Sequence, residues 1–168
     1  MKEKSMYFAR KDIYEKIKAL GGTWTDPKNR PIVCLIKSAE HDGLYWAIPV
    51  GMYDHRDEKG IKRLNTYLER PEDDLRSCYY HIGRTTCKSI FFISDVFPIT
   101  DKYIEKIYKG YDNQIYTIKN NKLLKSLYHK LSRILSFENS RKNYFRQHIT
   151  SIKEYLIKEL EEDSKASK

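Results

Sequence analysis

Two short apolar runs separated by one polar turn constrain this chain most. P-I-V-C-L-I-K (31–37) reads as a buried strand, and L-Y-W-A-I-P (44–49) reads as its return. His41-Asp42-Gly43 lies between them, and Asp-Gly readily supplies the positive φ of a tight turn. A β-hairpin is therefore the firmest local feature. Whatever else the chain does, it must cover the faces of that hairpin.

The rest of the sequence supplies the cover. Ile13, Ile17 and Leu20 share one helical face, which Gly21-Gly22 ends. Met6-Tyr7-Phe8 reads as extended. A polar loop spans 51–59, and Ile61, Leu64 and Leu68 predict a helix over 61–68. Two more strands are expected at 76–82 and 88–93, joined by a turn at 83–86. After Pro98 the pattern predicts a helix capped by Thr100 or Asp101 and carrying Ile104 and Ile107. Asn120-Asn121 is a break. Leu123 to Leu135 form one helical stripe, and Phe145, Ile149, Ile152, Leu156 and Leu160 form another. Strands followed by helices give an α+β class. The expected form is a small antiparallel barrel or curled sheet flanked by helices, in one domain over 1–168 with a polar tail at 161–168.

Composition agrees. The chain has 168 residues, and 13% aromatic content excludes collagenous and disordered classes. No apolar run is long enough to span a bilayer, and residues 1–9 lack a signal-peptide core, so a cytoplasmic protein without a membrane partner is expected. Cys34, Cys78 and Cys87 read as buried free thiols. Lys and Arg number 32 against 23 acidic residues, a net charge of +9, which points to nucleic acid or an anionic surface. No glycine-rich phosphate loop, paired Cys/His pattern or G-x-S-x-G is present, so no cofactor and no metal are expected.

Two polar loops carry the candidate chemistry. One is Y-D-H-R-D-E-K (53–59), after the return strand. The other is H-I-G-R-T-T-C-K-S (81–89), joining two apolar strands. If both strand pairs share a sheet, the loops meet at one rim, with Arg30 pointing there too. RNA cleavage without a metal needs a base for the 2′-OH, an acid for the leaving 5′-oxygen and cations on the phosphate. His55 or His81 suits the proton transfers. Arg56, Lys59, Arg84 and Lys88 suit the phosphate, with Thr85, Thr86 and Ser89 as hydrogen-bond donors. His41, His129 and His148 read as ordinary solvated histidines. Between Asn121 and Leu160 lie nine Lys/Arg, among them Lys122, Lys125, Arg133, Arg141, Lys142 and Arg146, with Tyr128, Tyr144 and Tyr155 interleaved. Such helices suit an RNA backbone, and a solvated face explains them equally.

The order of hairpin, polar loop and helix, then S-C-Y-Y-H-I-G-R-T-T-C-K-S-I-F-F-I-S-D-V-F-P-I-T (77–100), resembles the ToxN/AbiQ/CptN family of type III toxin–antitoxin endoribonucleases, and its CptN-like branch most. The resemblance spans about residues 6–160. It implies an SH3-like, Kid/MazF-type barrel with helical insertions and C-terminal helices. It implies a metal-independent, sequence-selective RNase leaving a 2′,3′-cyclic phosphate. It also implies inhibition by a small pseudoknotted RNA that the toxin cuts from a repeat precursor, and a closed toxin–RNA oligomer. The family's Thr-Ser-x-Lys stretch is replaced here by P-V-G-M-Y-D-H-R (49–56). Its cation before the first strand aligns with Arg30. The expected site is therefore a rearranged one using Asp54, His55 or Arg56, with His81 and Thr85 nearby. A non-catalytic RNA-binding module and a structural adaptor are the alternatives.

Overall fold

The computed structural model describes residues 1–25 and 32–167. The expected hairpin is its centre. Strand β1 (Met6–Ala9) and helix α1 (Lys11–Ala19) precede β2 (Ile32–Lys37) and β3 (Tyr45–Met52). The β2–β3 ladder runs from Ile32 opposite Val50 to Lys37 opposite Tyr45. Gly43 takes φ +79° in the turn, which a side chain would resist. Strand β3 continues past Pro49 through Gly51 and Met52, which were expected in a loop. Residues Val50, Gly51 and Met52 pair with Phe91, Ile90 and Ser89 of β5 (Lys88–Phe92), and that partner extends the strand.

One edge of β3 serves two partners. Its far end pairs with β5, and its near end, Tyr45 to Ala47, pairs with β6 (Phe97–Ile99). A single 3-10 turn at Ile93–Asp95 separates β5 from β6. The buried Gln147 amide donates to the Ser94 carbonyl at 3.0 Å and the Val96 carbonyl at 2.6 Å, satisfying acceptors freed where the ladder breaks. With β4 (Tyr80–Arg84) and β7 (Ile104–Ile107) the sheet has the order β4-β5-β3-β2-β1-β7, all antiparallel, with β6 beside β5 on β3. The sheet is open, with β4 and β7 as its edges.

Alternation along the strands makes two apolar faces. Cys34, Ile36, Trp46, Ile48 and Phe91 meet Leu123, Leu124, Leu127, Leu131 and Ile134 of α3 (Asn121–Ser140). Val33, Leu35, Ala47, Phe97 and Ile99 meet Ile13 and Ile17 of α1 and Ile152 and Leu156 of α4 (Ile149–Ala166). Burying each such side chain contributes about 1.5–3 kcal/mol before entropy is charged. The class is α+β, as expected. No helix among the described residues is long and apolar enough to cross a membrane.

Three expected elements differ. Ile104 and Ile107 lie in β7, after a short turn at Asp101–Tyr103, and not on a helix. Tyr7 pairs with Ile107 and Phe8 with Lys106, so the open edge of β1 captures this segment. The strand expected over 76–82 begins only at Tyr80. Ahead of it, Leu75–Cys78 form a 3-10 turn whose first free amide, Arg76 N, is capped by Asp74 at 2.9 Å. Phe145 precedes α4 instead of lying in it. Asn143 and His148 take φ +56° and +55°, and the chain turns there around the buried Glu138 carboxylate. Glu138 accepts from the amides of Asn143, Tyr144 and Thr150 and from the Thr150 hydroxyl. The break at Asn120-Asn121 is the start of α3, where Asn120 accepts from Leu123 N at 3.1 Å.

Candidate functional site

Antiparallel pairing puts the end of β3 beside the start of β5, and so beside the β4–β5 turn. Both polar loops therefore lie at one end of the sheet. After β3 the chain makes a tight turn at Tyr53–His55 and enters α2 (Glu58–Leu68), which Asp57 caps through Gly60 N at 2.7 Å. Asp54, His55, Arg56 and Lys59 are exposed there. Arg84 and Lys88 oppose each other across the β4–β5 ladder and are exposed too.

Two aromatic rings fix two of the cations. Lys88 Nζ lies 3.6 Å from the centroid of Tyr53, and the Arg56 guanidinium lies 4.9 Å from that of Phe92. Phe92 reaches across Gly51, where a Cβ would stand 2.9 Å from its Cε2, so the absence of a side chain there lets the ring lie flat on β3. A shallow groove of about 540 Å³ opens beside Arg56, bordered by Ile61, Lys62 and Asn65. The sequence reading missed Tyr53 and Phe92 as platforms. Strand parity places Phe92 on the face that Arg56 covers, but only the turn brings Arg56 over it.

The hydroxyl residues of the second loop are turned to the fold. Thr85 and Ser89 are buried, with their hydroxyls 2.7 Å apart, and Ser89 donates to the Cys87 carbonyl at 3.1 Å. The Thr86 hydroxyl meets Tyr108 OH at 2.6 Å, and Tyr111 OH donates to the Thr86 carbonyl at 2.6 Å. These groups build the turn that carries Arg84 and Lys88.

His81 is not at the rim. It lies opposite Phe91 in mid-strand and shares a face with Gly83, where a Cβ would be 2.6 Å from Leu123 Cδ1 of α3. His81 thus faces the helix. Burial, with the nearby Lys130 ammonium adding to it, pushes its pKa down to about 4. Lys130 donates to the Tyr80 carbonyl at 2.7 Å, and burial lowers its own pKa. Near neutrality His81 is uncharged.

The C-terminal cations are mostly engaged in holding the fold. Arg133 clamps the carbonyls of Glu72 and Asp73 and lies 3.3 Å from Cys78 Sγ. Arg146 makes a bidentate pair with Asp95 at 3.1 and 3.0 Å and also donates to Thr25. Lys153 pairs with Glu40, and Lys142 stands 4.0 Å from Glu154. Lys122 and Lys125 are exposed on α3, and Arg141 is exposed 6.0 Å from the Phe137 ring. The aromatic residues are occupied as well. Tyr128 donates to Glu3, Tyr144 packs edge-on against Phe137, and Tyr155 lies under Lys16. Arg30 lies outside the described residues.

Among the described residues no three His, Cys, Asp or Glu side chains gather as a metal site requires. No protein-family model matches the chain, and no curated protein matches it either.

Proposed function

We propose that this chain is the endoribonuclease toxin of a type III toxin–antitoxin system. The observation that carries the reading is the rim itself: Asp54, His55, Arg56, Arg84 and Lys88 stand exposed at one end of one sheet, with two of the cations set on rings. In the reaction, the RNA 2′-oxygen attacks the adjacent phosphorus and the bond to the 5′-oxygen breaks. The products are a 2′,3′-cyclic phosphate and a free 5′-hydroxyl. His55 moves a proton in that exchange, and Arg56, Lys88 and Arg84 meet the phosphate charge. RNA alone has the internal nucleophile.

On this reading the β2–β3 hairpin and its neighbours correspond to the family's Kid/MazF-type barrel, here left open, and the helices are its insertions and additions. The inhibitor is a small pseudoknotted RNA cut from a repeat precursor, held with the toxin in a closed cytoplasmic oligomer. The net charge of +9 and the resemblance of residues 77–100 to the CptN-like branch support the partner class.

The test is cleavage of total RNA by purified protein in EDTA, together with growth arrest on expression without the antitoxin. Cut products ending in a cyclic phosphate are expected. Intact RNA and normal growth at high expression overturn the reading. One observation favours a second reading, an RNA-binding module that does not cut: with His81 facing α3, the rim holds one of the two candidate histidines. That module binds RNA in a salt-dependent way and yields no products.

A further inference from the structure

We infer that the ring of Tyr111 is a stacking platform for one unpaired nucleobase of single-stranded RNA, an inference that rests on the RNA reading above.

Residues 108–116 form a narrow strap after β7. Lys109 bridges Ile115, Gly110 N donates to Gln114 O at 2.8 Å, and Asn113 takes φ +60° at the bend. Tyr111 sits at the tip and is 92% exposed, against 50% for Tyr144, the next most exposed large apolar or aromatic side chain among the described residues. A ring so exposed gains almost nothing from burial. It is nevertheless held at its far end, because its hydroxyl donates to the Thr86 carbonyl at 2.6 Å. Tyr108 reaches the hydroxyl of the same threonine. Two tyrosines thus pin the strap to the β4–β5 turn, midway between Arg84 and Lys88 in the chain.

The anchor makes the platform. An aromatic ring fixed through its hydroxyl has already lost the rotamer freedom that a ligand would otherwise have to freeze. Its faces remain open, and every nucleobase has a π-face to lay on them. The cations flanking Thr86 suit the phosphates of the same strand, and Lys109 adds an exposed cation two residues before the ring. Bases already stacked inside a duplex cannot use such a surface, so single strands are the ligand.

The test uses fluorescent 2′-O-methylated oligoadenylate and oligouridylate, which lack the nucleophile and stay intact, beside a blunt 2′-O-methylated duplex. Tyr111→Ala is expected to weaken both single strands about 5- to 100-fold, with little change in salt slope or duplex affinity. Tyr111→Phe keeps the ring, loses the anchor and weakens binding less. Single-strand affinity unchanged in Tyr111→Ala, with wild type binding well, overturns the platform alone. Wild type that binds neither single strand also overturns the platform, and the cleavage test above decides the RNA reading separately.

Discussion

Lys88 Nζ stands 3.6 Å above the ring of Tyr53, joining the β4–β5 turn to the turn that follows β3. The two loops thereby act as one surface. An exposed cation–π contact is worth about 0.5–1 kcal/mol. Lys88→Met is therefore expected to cost no more than about 1 kcal/mol in urea denaturation. RNA cleavage should fall at least about 10-fold if the lost charge meets the phosphate as proposed. Equal loss of stability and activity in proportion would assign Lys88 to the fold alone.

His55 is the exposed histidine of the rim. His55→Ala should lower the cleavage rate about 100-fold or more while leaving RNA affinity nearly unchanged, as removal of a proton carrier does. A variant that cuts at the wild-type rate removes His55 from the chemistry.

His81 should instead show in stability. Its pKa is about 4 in the folded chain and about 6.5 when unfolded. Above pH 6.5 neither state binds the proton, so the group is silent. Between 6.5 and 4 the unfolded chain binds it and the folded chain does not, so stability falls as pH falls. Below 4 both bind it and the slope ends. Urea midpoints measured from pH 7.5 to 4.5 should drop less steeply in His81→Phe than in wild type. Parallel curves would mean that His81 is solvated.

Glu138 ties the end of α3 to the start of α4 through three amides and a hydroxyl. Glu138→Ala removes the acceptor of the Asn143 and Thr150 amides and of the Thr150 hydroxyl, while Tyr144 N keeps the Arg141 carbonyl at 3.2 Å. The cost is about 1–3 kcal/mol for each donor that water cannot reach. A loss of about 3 kcal/mol or more in unfolding free energy is expected, read by urea denaturation. A loss under about 1 kcal/mol would show that the loop rearranges freely.

The thiols differ by burial. Cys34 and Cys78 are buried, and burial pushes the Cys34 thiol up to about 12, whereas Cys87 is half-buried in the β4–β5 turn. The native protein should react at Cys87 alone with a colorimetric thiol reagent, and at all three thiols once unfolded. Fast native labelling of Cys34 would contradict the packing of β2.

Much of the frame was legible locally. The β2–β3 hairpin follows from two apolar runs and an Asp-Gly turn, and α3 from its leucine stripe after the Asn120-Asn121 break, though that break proved to be the helix's cap. Ile104 and Ile107 were misread because their spacing suits a helical face and a short strand alike; the open edge of β1, far away in sequence, decides between them. The meeting of the two loops could be reasoned from strand pairing. The orientation of His81 could not, because α3 sets it from some fifty residues onward. The roles of Arg133 and Arg146 were hidden for the same reason: their partners, Glu72, Asp73 and Asp95, lie 51 to 61 positions earlier.

Two of the helices that cover the sheet, α3 and α4, leave the ribosome after all of its strands. Strands β1 to β7 end at Ile107, yet α3 and α4 come only after Asn120. Until then the nascent chain carries a rim on a sheet with one face bare and the other covered by α1 without α4. A protein truncated before Leu156 would lose the share of the cover that α4 places beside α1 over Val33, Leu35 and Phe97 and would be cleared or aggregate. Nonsense mutations between Asn120 and Leu156 should therefore behave as complete loss of function, with no partly active product to select.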